Sequence, residues 1–230
     1  MDSIKNRLEK VKDRIKKAAE ACNRNPETVR LVAVSKTVPT NRVREAIEAG
    51  VTNLGENYVQ EAREKVNSLT DFAVNWHFIG HLQTNKAKYA VRLFDLIHSV
   101  DSLKLAQELN KQAQKNEKIQ QILIQVNISR EKTKSGVSVD EALDLVNEIS
   151  RLENLSIKGL MTMPPYFNQP ERVRPFFSAL RELRARIKEK AIPNVFMDEL
   201  SMGMTGDFEA AIEEGATMVR VGTAIFGERT

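Results

Sequence analysis

The chain has 230 residues, enough for one sizeable core or one barrel-sized domain. Apolar residues make up 41% and charged residues 29%, which excludes a disordered chain. Lys and Arg number 35 against 31 Asp and Glu, and a net charge of +4 spread along the chain does not mark a nucleic-acid binder. The lone cysteine, Cys22, has no partner for an intrachain disulfide or a structural zinc site, and it reads as a half-buried small residue. No apolar run reaches the roughly 18 residues that span a membrane. The first 21 residues are charged throughout and lack the apolar stretch of a secretory signal, so a cytoplasmic location is expected.

Ile4, Leu8, Val11, Ile15 and Ala18 recur at three- and four-residue steps and predict an opening helix that ends before Asn25-Pro26. From there short apolar runs alternate with amphipathic ones. The strand candidates are Leu31–Ser35, Thr52–Leu54, Val74–Phe78, Leu96–His98, Ile122–Val126, Ile157–Leu160, Val195–Glu199 and Met218–Val221. Between them lie helical runs at Asn41–Ala49, Tyr58–Val66, Asn85–Arg92, Leu103–Gln114, Asp140–Ser150, Glu171–Lys190 and Phe208–Glu214. Most strand runs are too apolar to keep one face wet, as in parallel sheets covered by helices. The rhythm predicts a closed (β/α)₈ TIM barrel with an extra N-terminal helix, formed by residues 1–230 as a single domain; an open doubly wound sheet is the alternative.

In such a barrel the chemistry lies where strands end. Lys36 directly follows the first strand, and desolvation there would lower the ammonium pKa and free an amine to attack an aldehyde. Ser201-Met202-Gly203-Met204-Thr205-Gly206 and Gly222-Thr223-Ala224-Ile225-Phe226-Gly227 follow the seventh and eighth strands, the usual place for a phosphate cradle. Arg220 sits inside an apolar strand, so it needs either a structural ion pair or a ligand. His77, His81 and His98 cluster near the third and fourth strand ends. Their spacing argues against a metal site and for hydrogen bonding in the barrel wall, with a general base as a further possibility. Met161, Met163, Met202 and Met204 read as wall packing.

Several segments together resemble the pyridoxal phosphate homeostasis proteins: Leu31-Val32-Ala33-Val34-Ser35-Lys36-Thr37, Gly55-Glu56-Asn57-Tyr58, Trp76-His77-Phe78-Ile79-Gly80-His81, Lys134-Ser135-Gly136, Gly159-Leu160-Met161-Thr162-Met163, Leu200-Ser201-Met202-Gly203-Met204 and Val219-Arg220-Val221-Gly222-Thr223. Those proteins are themselves similar to the barrel domain of alanine racemase. The resemblance implies pyridoxal 5′-phosphate (PLP) held as an aldimine on Lys36, with Arg220 facing the pyridine nitrogen. It further implies that Ser201, Gly222 and Thr223 hold the phosphate, helped by the backbone of Met202 and Gly203. Asn57, His77 and Met163 would line the ring pocket. Thr205, which stands where serine is common, leaves the hydroxyl details of the phosphate loop open.

The role implied is a monomeric, non-catalytic regulator of PLP and of amino- and keto-acid pools, with PLP-dependent apoenzymes as possible partners. The chain stops soon after the eighth strand, without the second domain that supplies an acid–base residue in alanine racemase. A guanidinium at the ring nitrogen would also make the ring a weak electron sink. Two other readings are a PLP-dependent racemase, with His77 or Tyr58 as its second acid–base residue, and a cofactor-free Schiff-base aldolase or phosphosugar barrel.

Overall fold

The computed structural model describes residues 2–131, 133–165, 167 and 169–228. Helix α1 (Ile4–Ala21) begins at Ser3, whose side chain accepts the Asn6 N–H as an N-cap. Its buried face is the predicted one, Ile4, Leu8, Val11, Ile15 and Ala18, and it packs against the helices that follow the last two strands.

The strands are β1 (Arg30–Val34), β2 (Asn53–Glu56), β3 (Asn75–Phe78), β4 (Leu96–Val100), β5 (Gln120–Gln125), β6 (Leu155–Met161), β7 (Val195–Ser201) and β8 (Met218–Val221). Each pairs in parallel with its neighbours, and β8 returns to β1 to close the barrel. The eight strands fall on the eight predicted runs to within two residues at either end. Outside them lie α2 (Thr40–Glu48), α3 (Val59–Ser68), α4 (Ala87–Leu93), α5 (Leu103–Lys115), α6 (Ala142–Ile149), α7 (Arg174–Glu189) and α8 (Phe208–Glu213). A short α9 (Thr223–Phe226), absent from the periodicity, follows β8.

Two helices start later than the sequence reading because a 3₁₀ turn precedes them. The segment before α4 is a 3₁₀ turn over Thr84–Lys86, and the one before α7 is a 3₁₀ turn over Pro170–Arg172. Pro175 then occupies the first turn of α7, where its missing N–H leaves no bond unmade.

Strand alternation divides the core in two. Ala33, Leu54, Ile97, Ile122 and Val219 belong to the large cluster between strands and helices. Val32, Leu96, Leu123, Met161 and Met218, drawn from five strands, form a separate cluster that fills the barrel centre. Stepping two residues toward the strand ends keeps a side chain on the inner side. From this central layer that step leads to Val34, His98, Gln125 and Arg220, and Lys36 and Met163 follow two residues past the ends of β1 and β6. The barrel interior therefore changes from apolar to polar within one layer. Among the described residues, no helix is long and apolar enough to cross a membrane.

Candidate functional site

Lys36 lies in the turn that ends β1 and is half-buried. Because β1 pairs with β2 on one side and β8 on the other, the turns carrying Asn57 and Gly222 flank it. A Cβ on Gly222 would lie 3.4 Å from both the Cβ and the carbonyl oxygen of Val34, so the β8 turn rests directly on the strand that carries the lysine. Asn57 is half-buried, and its Oδ1 is buried with no hydrogen-bond partner among the described residues. An acceptor left open at this depth takes a donor from a water or a ligand. Gly80 comes so near that a Cβ there would sit 2.7 Å from the Asn57 Cα, so only glycine lets the turn after β3 pack beneath Asn57.

Below the mouth runs a chain of buried hydrogen bonds. His77 Nδ1 lies 2.9 Å from His98 Nε2, and His98 Nδ1 lies 2.9 Å from Ser201 Oγ. Arg220 Nη1 donates to the same Ser201 Oγ at 2.6 Å, and Nη2 donates to the Thr162 carbonyl at 2.8 Å. Burial pushes His77 down to about 4, and burial, with the neighbouring His77 and Arg220, pushes His98 well below its usual value. Both rings are therefore neutral near pH 7, and each has one N–H to give. Burial also lowers Arg220 to about 10, opposed by the charge of Asp207, so the guanidinium keeps its proton. Arg220 thus has a hydroxyl and a carbonyl as partners, rather than the carboxylate ion pair that was one of its two sequence readings.

The residues expected around a phosphate separate by depth. Ser201 is fully buried, and its hydroxyl is already shared between Arg220 and His98. The Met202 N–H donates to Met218 O, so it is spent on the sheet, and the Met202 side chain is fully buried in the outer core. Gly203 adopts φ +91°, and its carbonyl accepts the Arg220 N–H. At the rim, Thr223 Oγ1 stands 3.3 Å from Thr205 Oγ1. Thr223 opens α9, where the Ile225 and Phe226 N–H groups donate to the Gly222 carbonyl and those of Thr223 and Ala224 have no backbone partner in the helix. A hydroxyl pair beside open N–H donors on the β7 and β8 turns is the donor set an anion requires. Met163 is 40% exposed and, with His81, Gln125, Lys134 and Ser135, lines a cleft of about 280 Å³ at the ends of β5 and β6.

His77 and His81 do not converge. The first is held by His98 inside the barrel, and the second lies 3.3 Å from Ser135 Oγ at the rim. Among the described residues, no three His, Cys, Asp or Glu side chains come together as a metal site. His98 makes hydrogen bonds of the kind expected of the histidines, to His77 and Ser201, whereas the sequence reading gave no role to the Thr162 carbonyl and left Thr205 open.

The model for the alanine racemase N-terminal domain matches residues 7–230, so fold and site define a barrel of that class. A pyridoxal phosphate homeostasis protein of Aquifex aeolicus is 48% identical over 223 residues, 97% of each chain. The chain belongs to the pyridoxal phosphate homeostasis protein family. A crystal structure of a protein from Bifidobacterium adolescentis is similar at 36% identity with a TM-score of 0.91, covering 96% of this chain and 94% of that one. PipY of Synechococcus elongatus, in a structure with PLP bound, is similar at 36% identity and TM-score 0.82, covering 93% of this chain and all of that one.

Proposed function

We propose that this protein binds PLP in the barrel mouth as a Schiff base on Lys36 and acts in the homeostasis of PLP and of amino and keto acids, as a carrier without turnover. One observation carries the reading: a half-buried lysine follows β1 between the turns of β2 and β8, and the buried Arg220 lies on β8 in register with Val32 of the same β1. PLP presents a phosphate, a ring nitrogen and an aldehyde, and these residues offer each a partner. The PLP-bound structure of the similar PipY supports it.

The Lys36 amine bonds to the aldehyde carbon, and the carbonyl oxygen leaves as water, with no change of oxidation state. Thr205 and Thr223 give hydroxyls to the phosphate, with backbone help from the turns at Gly203 and Gly222. Arg220 meets the ring nitrogen, held in place by Ser201 and Thr162. Asn57, His77 and Met163 line the ring pocket. Ser201 therefore serves the phosphate only indirectly.

Bound PLP offers an aldehyde carbon to amines and a ring that withdraws electrons, and a guanidinium at the ring nitrogen keeps that withdrawal weak. His77, neutral and tied to His98, is poorly placed to supply the proton a two-base racemase needs. Tyr58, the other candidate, is 59% exposed.

The test is a visible absorption spectrum of the protein loaded with PLP, before and after borohydride, for the native chain and Lys36→Ala. The expected result is an imine band that borohydride removes, absent from Lys36→Ala, with no racemisation of alanine. Racemisation beyond stoichiometry, or a Lys36→Ala protein that keeps the band, sinks the proposal.

A further inference from the structure

A second lysine lies behind the first. Lys65, on α3, is 3% exposed, and its ammonium spends all three protons within the protein. Nζ donates to the Ser35 carbonyl at 2.5 Å, to Glu56 Oε1 at 2.7 Å and to Glu61 Oε1 at 2.6 Å. Two further bonds tie the same cluster to the end of β1. Ser35 Oγ donates to Glu56 Oε1 at 2.6 Å, and the Thr37 N–H donates to Glu61 Oε1 at 2.5 Å.

These partners bracket residue 36. The Ser35 carbonyl belongs to the peptide plane entering Lys36, and the Thr37 N–H belongs to the plane leaving it. Each plane is rigid, so fixing one polar atom in each restricts rotation about the Lys36 Cα and sets the direction of its Cβ. The far side of the turn needs such a restraint. Thr37 is β-branched yet adopts φ +61°, a conformation such residues avoid unless their surroundings impose it. Burying an ammonium and the Glu56 carboxylate to hold a surface turn is costly unless the turn's geometry matters.

Resting on the reading of Lys36 given above, we propose that Lys65 and Glu61 are positioning residues: they aim the Lys36 side chain into the mouth and thereby set how fast, and on which lysine, an aldehyde is captured. Neither touches the cofactor. The alternative is that the cluster only fastens α3 to the barrel, in which case its loss lowers stability and leaves capture unchanged.

The test uses the full chain freed of PLP, with added PLP as the probe. Imine formation is followed by stopped-flow absorbance well below each variant's melting temperature, and borohydride-fixed label is mapped by peptide mass spectrometry. Lys65→Met is expected to slow capture at Lys36 by tenfold or more, with label appearing on other lysines, while circular dichroism stays native. Glu61→Ala, at a partly exposed position, removes the Thr37 anchor and one of the three Lys65 acceptors while leaving the Ser35 carbonyl bound, and is expected to slow capture severalfold. Glu61→Gln keeps an acceptor oxygen and should recover most of the rate. If Lys65→Met does not fold, Glu61→Ala against Glu61→Gln decides. Native rate and native label site in every folded variant overturn the proposal. A native chain that takes no label on Lys36 refutes the Schiff-base reading instead, so the two failures are distinct.

Discussion

Ser201→Ala separates a residue that supports the site from one that grips the ligand. The hydroxyl is fully buried and accepts from Arg220 at 2.6 Å while facing His98 at 2.9 Å. Removing it leaves a guanidinium N–H and an imidazole nitrogen without their partner in a layer closed to water. The loss of one charged and one neutral buried hydrogen bond amounts to about 2–4 kcal/mol. For a chain of this length that corresponds to a fall in Tm of roughly 5–15 °C. Thr205→Ala and Thr223→Ala remove hydroxyls 3.3 Å apart at the exposed rim, and each should cost under about 0.5 kcal/mol. The order reverses for PLP retention, where each threonine variant should lose about tenfold in affinity, or about 1.4 kcal/mol. Thermal unfolding of the PLP-free chain and equilibrium titration with PLP measure the two quantities separately. A Ser201→Ala protein with native Tm and grossly weakened PLP binding refutes the reasoning, because it would make the serine a direct phosphate ligand.

Two other outcomes follow from the same geometry. His77 is held down to about 4 and His98 well below its usual value, both chiefly by burial, while the unfolded chain binds protons at these groups near pH 6.5. The unfolded state then carries more protons between those values, so stability is full above about pH 6.5 and falls below it, by about 1.4 kcal/mol per pH unit for each histidine. Denaturant midpoints from pH 8 to pH 5 check this, and a flat profile argues that the rings are not buried and neutral. Gly80→Ala pushes a Cβ into the Asn57 backbone, which should cost about 1–3 kcal/mol and weaken PLP retention by displacing Asn57. Native stability and affinity in that variant would show that the two turns are not packed as described.

Much of this architecture was legible in the chain. Apolar runs at β/α spacing sufficed for the barrel because parallel strands buried on both faces have to be apolar throughout. Lys36, Arg220, Gly222 and Thr223 stood out because a cation beside an apolar strand, or glycine and hydroxyls at its end, conflicts with the surrounding pattern. Parity along the strands even carries the inner layer, from Val32 to Val34 and from Met218 to Arg220.

Tertiary structure alone decided which polar groups meet. Ser201 and Thr205 look alike as hydroxyls in one loop, yet the first is claimed by His98, 103 residues earlier, and by Arg220, while the second faces Thr223 at the rim. Likewise Glu61 and Lys65 read as an ordinary helical pair four residues apart, and only barrel closure carries that pair beneath the turn of Lys36. Periodicity records which side a residue faces. A hydrogen bond depends on distance and direction between atoms far apart in the chain, and these exist only once the strands have closed.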